Sequence, residues 1–158
     1  MIFVTVGTDL PFDRMIKVID HWASEHKSEQ VFAQIGNGAW KPKHMKYVNL
    51  MTPYEYDIHI NTAELIISHA GMGTILTALL KGKHILVMPK RACLGEHRSE
   101  HQLATAIKMK EIGNVNVALD ESELMIWLGR LGELKAPVKI AEKAGGGLVE
   151  ALRYFIFH

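Results

Sequence analysis

Cysteine is nearly missing from this chain of 158 residues, and its single Cys93 excludes an intramolecular disulfide and any multi-cysteine zinc or iron–sulfur site. That usage fits a reducing compartment. An excess of charge of one sign is missing too. With 18 Lys and Arg against 17 Asp and Glu, the formal net charge of +1 gives no bulk attraction to nucleic acid. Long apolar runs are absent: stretches such as Ile85 to Met88 fall far below the ~20 residues that a membrane-spanning helix needs. The opening Met1-Ile2-Phe3-Val4 reaches Gly7 and Asp9 at once, so no signal peptide is expected. Repeats, linkers and low-complexity stretches are lacking as well. With 48% hydrophobic and 22% charged residues the composition is ordinary for a globular protein. The expectation is one cytoplasmic domain over residues 1–158.

What is present is a regular alternation of strand and helix patterns. Ile2 to Val6 reads as a buried strand, followed by helical spacing of Phe12, Met15, Ile16, Ile19 and Trp22 over roughly residues 11–26. Val31 to Ile35 and Tyr47 to Leu50 read as strands. Thr52-Pro53-Tyr54-Glu55 forms a capping box with proline at the first helical position, opening a helix to about Thr62. Further strands are expected at Glu64–Ser68, His84–Met88 and Val115–Leu119, with a helix at Thr74–Lys81 ending at Gly82. Ser99 with Gln102 reads as a second capping box, for a helix to Gly113, and Asp120 with Glu123 caps the next. A helical tail is expected from about Lys139. Strands separated by helices imply right-handed crossovers, hence a doubly wound α/β fold with a parallel sheet.

Ligands of such sheets bind beyond the carboxyl ends of the strands. The loop Ser68-His69-Ala70-Gly71-Met72-Gly73-Thr74 lies there, between a strand and a helix. Two glycines allow close backbone approach, the helix start offers free N–H groups, and Thr74 and His69 add hydrogen-bond donors. This is the chemistry of a phosphate or diphosphate cradle. A glycine-rich turn around a packed histidine accounts for the same residues. A nicotinamide fingerprint fits poorly, because Leu76 stands where a small residue is required and Pro89, Lys90 and Arg91 stand where a ribose-binding acid is expected. No Walker loop occurs, since Gly82-Lys83 is followed by His84.

The second polar cluster is Gly95-Glu96-His97-Arg98-Ser99-Glu100-His101-Gln102. His97-x-x-Glu100-His101 has the spacing of an inverted zinc-peptidase motif, without an obvious third ligand. It also reads as a solvated first helical turn, or as the rim of the pocket around His69, where His101 and Gln102 would meet sugar hydroxyls. Read together, the two loops favour the rim.

The run His69-Ala70-Gly71-Met72-Gly73-Thr74, then Gly82-Lys83, Pro89 and His101-Gln102, resembles the donor-sugar half of GT-B glycosyltransferases, and more narrowly the family 28 C-terminal domain. It is most similar to small single-domain members: the catalytic subunit of the two-part GlcNAc transferase of N-glycan assembly and its bacterial capsule and exopolysaccharide counterparts. The opening Phe3-Val4-Thr5-Val6-Gly7-Thr8, with Phe12 and Asp13, resembles theirs too, so the likeness covers roughly residues 1–120.

The resemblance implies a UDP-sugar-dependent, inverting hexosyltransferase acting on a lipid-linked saccharide, with no metal ion and no other cofactor. It implies that Gly7, Thr8, His69, Gly71, Met72, Gly73 and Thr74 line the donor site, and that His101 and Gln102 touch the sugar. A ribose-binding glutamate common in GT-B enzymes falls at Thr77 here, which leaves the ribose to the backbone or to another residue; Glu96 is one candidate, and also reads as a solvated loop carboxylate. The acceptor half, and with it the general base, is expected on a membrane-associated partner subunit that recruits this chain to the inner face of the membrane. The apolar end Leu152-Arg153-Tyr154-Phe155-Ile156-Phe157 either docks that partner or packs on its own core. A non-catalytic nucleotide-sugar-binding module is the alternative function.

Overall fold

A computed structural model describes residues 1–113 and 115–135. The expected tail from Lys139, and the Leu152–Phe157 end with it, lie outside the described residues. Six parallel strands form one sheet: β1 (Ile2–Thr5), β2 (Val31–Gln34), β3 (Lys46–Val48), β4 (Leu65–His69), β5 (His84–Met88) and β6 (Asn116–Val117). Their order is β3-β2-β1-β4-β5-β6, so β1 pairs with both β2 and β4 and the chain direction of the crossovers reverses beside it. That is the doubly wound arrangement the alternating pattern predicts.

Strand periodicity sorts the core into two layers. Ile2, Val4, Leu65, Ile67, Leu86 and Met88 point to one face, where they meet Met15, Ile16, Ile19 and Trp22 of α1 (Asp13–Glu25) and Leu124 and Leu128 of α5 (Glu121–Leu128). Phe3, Ile66, Ile85 and Val87 point to the other. There they meet Ile60 of α2 (Pro53–Thr62), Ile75, Ala78 and Leu79 of α3 (Met72–Leu80), and Ala106 and Met109 of α4 (His101–Ile112). Both faces of the inner strands are covered, which explains why β1, β4 and β5 read as continuous apolar runs rather than as alternating ones.

Helix starts follow the sequence signals in two cases of three. Thr52 accepts from the Glu55 amide at 3.2 Å while the Glu55 carboxylate accepts from the Thr52 amide at 2.8 Å, closing the box before α2. Asp120 accepts from the Glu123 amide at 2.9 Å, but Glu123 reaches back one residue further, to the amide of Leu119. The Ser99–Gln102 box does not form. Helix α4 starts at His101 behind Glu100, whose side chain does not cap it, and Ser99 Oγ accepts only from the His101 amide, at 3.3 Å. Glu100 instead pairs with Arg91 at 2.7 Å and accepts from the amide of Ala92, and Gln102 turns inward.

Candidate functional site

The carboxyl ends of β1 and β4 open into a cavity of about 570 Å³ at the reversal of strand order. Thr5, Gly7 and Thr8 border it from β1 and its loop, and Gln34 from β2. His69, Gly73, Thr74 and Thr77 border it from β4 and α3. Leu50, Met51, Pro53 and Tyr56, from the β3–α2 segment, make its remaining side. One end is therefore apolar and aromatic, and the other carries hydroxyls, an imidazole and the first turn of a helix.

The polar end is built around the His69 ring. Gly7 and Gly71 flank that ring closely: a Cβ at Gly7 would stand 2.7 Å from His69 Nε2, and one at Gly71 would stand 2.1 Å from its Cε1. Gly7 also has φ +82°, a conformation that side chains resist. So these two glycines make room for an imidazole, whereas the sequence reading reserved Gly71 for backbone approach to a ligand. Gly73 borders open space instead, since no neighbouring side chain or loop lies within 4 Å of where its Cβ would be. Burial is the main force on the imidazole, with the Lys90 charge adding to it and the Gln102 hydrogen bond opposing it. Together they lower the His69 pKa to about 3, so the ring is neutral at pH 7.

Buried polar side chains tie the surrounding loops. Gln34, 4% exposed, accepts from Thr5 Oγ1 at 2.7 Å and donates to the carbonyls of Gly7 and Asn49 at 3.0 Å each. Tyr56 donates to Thr74 Oγ1 at 3.0 Å, leaving the Thr74 proton to reach a ligand. Burial raises the Tyr56 pKa, which keeps the phenol protonated. Lys90, fully buried, donates from Nζ to the Leu10 carbonyl at 2.6 Å, and burial lowers its pKa to about 8. Thr5, Gln34, Tyr56 and Lys90 were not singled out from sequence.

Of the expected donor-site residues, Gly7, Thr8, His69, Gly73 and Thr74 converge on the cavity. The others are placed differently. Gln102 is 5% exposed and does not line the cavity; its carbonyl oxygen accepts from the amides of Ala70 and Lys90 at 3.2 and 3.0 Å, and its nitrogen stands 3.1 Å from His69 Nδ1. Glu96 does not line the cavity, and it is not solvated. It is buried, with both oxygens on Arg14 at 2.9 and 3.0 Å and one also on the Arg91 amide, because the guanidinium matches a carboxylate with two parallel donors. Met72 packs against the core beneath α3 rather than against the cavity, and His101 is exposed at the start of α4, away from the cavity lining. Among the described residues no group of three or more His, Cys, Asp or Glu is placed to hold a metal ion, so His97, Glu100 and His101 do not assemble a zinc site. No helix among those residues is long and apolar enough to cross a membrane.

Fold and cavity together define a doubly wound α/β protein with a ligand crevice at its switch point, one end suited to an anion and the other to an apolar group. The chain belongs to the glycosyltransferase family 28 C-terminal domain family, whose model matches residues 1–131. Two curated relatives are UDP-N-acetylglucosamine transferase subunits ALG13. The one from Yarrowia lipolytica is 32% identical over 112 residues, covering 63% of this chain and 57% of that protein. The human one is 33% identical over 109 residues, covering 63% of this chain and 10% of that protein. The match thus spans little more than half of one relative and a small part of the other. A solution structure of ALG13 superposes with a TM-score of 0.61 at 20% identity, covering 88% of this chain and 89% of that one, and shows the same fold.

Proposed function

We propose that this chain is the donor-binding subunit of a UDP-sugar-dependent glycosyltransferase. The observation that carries the reading is the polar end of the switch-point cavity, where Gly73, Thr74, His69 and the start of α3 offer donors, with no carboxylate among the described lining residues. A diphosphate suits that end, because helix N-terminal amides and a hydroxyl favour negative charge there. The apolar end at Leu50, Met51, Pro53 and Tyr56 suits a planar base. UDP-N-acetylglucosamine is the first donor to test, since the relatives carry that name.

In the reaction an acceptor hydroxyl attacks the anomeric carbon while the bond from that carbon to the diphosphate oxygen breaks. The bonding electron pair stays on UDP, and the anomeric centre inverts. The chain's own task is to stabilise the charge growing on the β-phosphate, through Thr74, His69 and the α3 amides. The acceptor, a lipid-linked saccharide such as exopolysaccharide or capsule assembly uses, is assigned to a membrane-associated partner that recruits this chain from the cytoplasm. The general base that takes the hydroxyl proton is assigned to the same partner. That the relatives are named as subunits supports a partner.

Calorimetric titration with UDP and UDP-sugars, metal chelated and NAD as control, tests the reading. UDP binding that weakens at least about tenfold in His69→Ala is expected. Binding of NAD in place of UDP would overturn it.

A further inference from the structure

We infer that Gln102 is a positioning residue: it fixes the His69 ring with its proton on Nε2, so that a neutral N–H donor faces the polar end of the cleft. The inference rests on the donor-binding reading above and deepens it. The sequence resemblance placed Gln102 against a sugar, but its amide is buried and acts through His69.

The orientation of the amide follows from its partners. Two backbone donors, the amides of Ala70 and Lys90, converge on one end of it at 3.2 and 3.0 Å. Only the oxygen can sit there, because the flipped amide would press its NH₂ against two N–H groups in a buried place. The nitrogen is therefore the atom 3.1 Å from His69 Nδ1. An amide nitrogen can only donate, so Nδ1 accepts. A neutral imidazole that accepts at Nδ1 carries its proton on Nε2.

The other nitrogen is placed for use. His69 Nε2 is the ring atom nearest to where a Cβ of Gly7 would be, at 2.7 Å, and both residues line the cavity. A proton added at Nδ1 would point at the Gln102 NH₂. The Lys90 charge opposes an imidazolium as well. The ring thus reaches the ligand as a fixed donor, with no ionisation to reverse as charge develops on the phosphate.

The test is nitrogen NMR on the full chain with ¹⁵N-labelled histidine, where pyrrole-like and pyridine-like ring nitrogens separate and His69→Gln identifies the His69 signals. The unliganded protein is expected to show Nδ1 pyridine-like and Nε2 pyrrole-like. Gln102→Glu keeps an acceptor for both backbone amides but sets a carboxylate oxygen against Nδ1, so Nδ1 should become pyrrole-like. A native Nδ1–H ring overturns the inference, and so does an unchanged ring in a folded Gln102→Glu. The native spectrum decides alone if that variant does not fold. Titration with UDP adds a second readout. At pH 9 Gln102→Glu should bind about tenfold more weakly than the native chain, because a lone pair now faces the phosphate, and the gap should narrow at pH 6 as the ring charges. A ratio independent of pH would leave Gln102 a merely structural role and overturn the inference. Failure of the native chain to bind UDP sinks the donor-binding reading, while the nitrogen spectrum still decides the role of Gln102.

Discussion

Replacing Gly71 by alanine isolates the packing on which the polar end of the cleft depends. Gly71 has φ −86° and ψ 131°, which alanine adopts freely, so any cost must come from the new methyl group. That methyl would lie 2.1 Å from His69 Cε1 and 2.8 Å from each ring nitrogen. Non-bonded carbons rest at about 3.5 Å or more, so the imidazole must retreat by over ~1 Å. Retreat breaks its hydrogen bond to Gln102. Overpacking of this kind costs about 1–3 kcal/mol. The lost hydrogen bond adds about 1 kcal/mol. A chain of this size then loses roughly 5–15 °C in Tm. The decisive comparison is a double-mutant cycle by urea denaturation. In a His69→Ala background the ring is gone, and Gly71→Ala should shift stability by no more than about 0.5 kcal/mol. Equal destabilisation in both backgrounds would show that Gly71 does not exist to seat His69, and the account of the site would fail with it.

Gly73→Ala should do the opposite. With no neighbouring side chain or loop within 4 Å of its Cβ and a place in the first turn of α3, the variant gains about 0.5–1 kcal/mol of stability. Its UDP affinity should fall about tenfold or more as the methyl group enters the cleft, and unchanged affinity in calorimetry would place the diphosphate elsewhere. The partly buried imidazole also sets a pH dependence: its pKa falls from 6.5 when exposed to about 3 in the fold, so the unfolded chain binds a proton that the native chain refuses. Stability from this group is complete above pH 6.5 and drains as pH falls toward 3, at up to about 1.4 kcal/mol per pH unit, and urea melts at pH 7, 6, 5 and 4 should lose that slope in His69→Gln.

Periodicity made the sheet legible because apolar residues alone decide which segments are buried. Among the described residues, all six strands and the helices α1 to α5 lie within a few residues of where the sequence puts them. Glycine, threonine and histidine at the β4–α3 junction pointed to half of the cavity lining, although the same residues also read as a glycine-rich turn around a packed histidine, which is the part that Gly71 plays. Thr5 and Gln34 escaped notice although a signal exists: each is a polar residue at the end of an apolar strand, and each is buried. Gln102 lies neither at a cap nor on the pocket rim that the resemblance implies, for a different reason. Ser-x-x-Gln is a sound capping pattern, and only the fold reveals that the amides of Ala70 and Lys90 lie buried in need of an acceptor. Glu96 likewise meets Arg14 across 82 positions of sequence, a pairing that no local pattern encodes.

These long-range ties explain how a loop-built site can hold its shape before a ligand arrives. Gln34 joins the loop after β1, at Gly7, to the loop after β3, at Asn49. Lys90 joins the loop after β5 to that after β1, at Leu10. Gln102 joins the loop after β5 to that after β4, at Ala70. Four loops are thus linked through three buried side chains, in an unbroken series that needs no ligand atom. Each tie contributes about 1 kcal/mol when made, and leaves buried donors or acceptors costing about 1–3 kcal/mol when cut. The ordering of the loops is therefore met by folding, and binding need not supply it. Fixed donors that do not reorganise are also what a growing negative charge requires. Stability and affinity consequently share the same three side chains, although none of them except Gln34 borders the cavity.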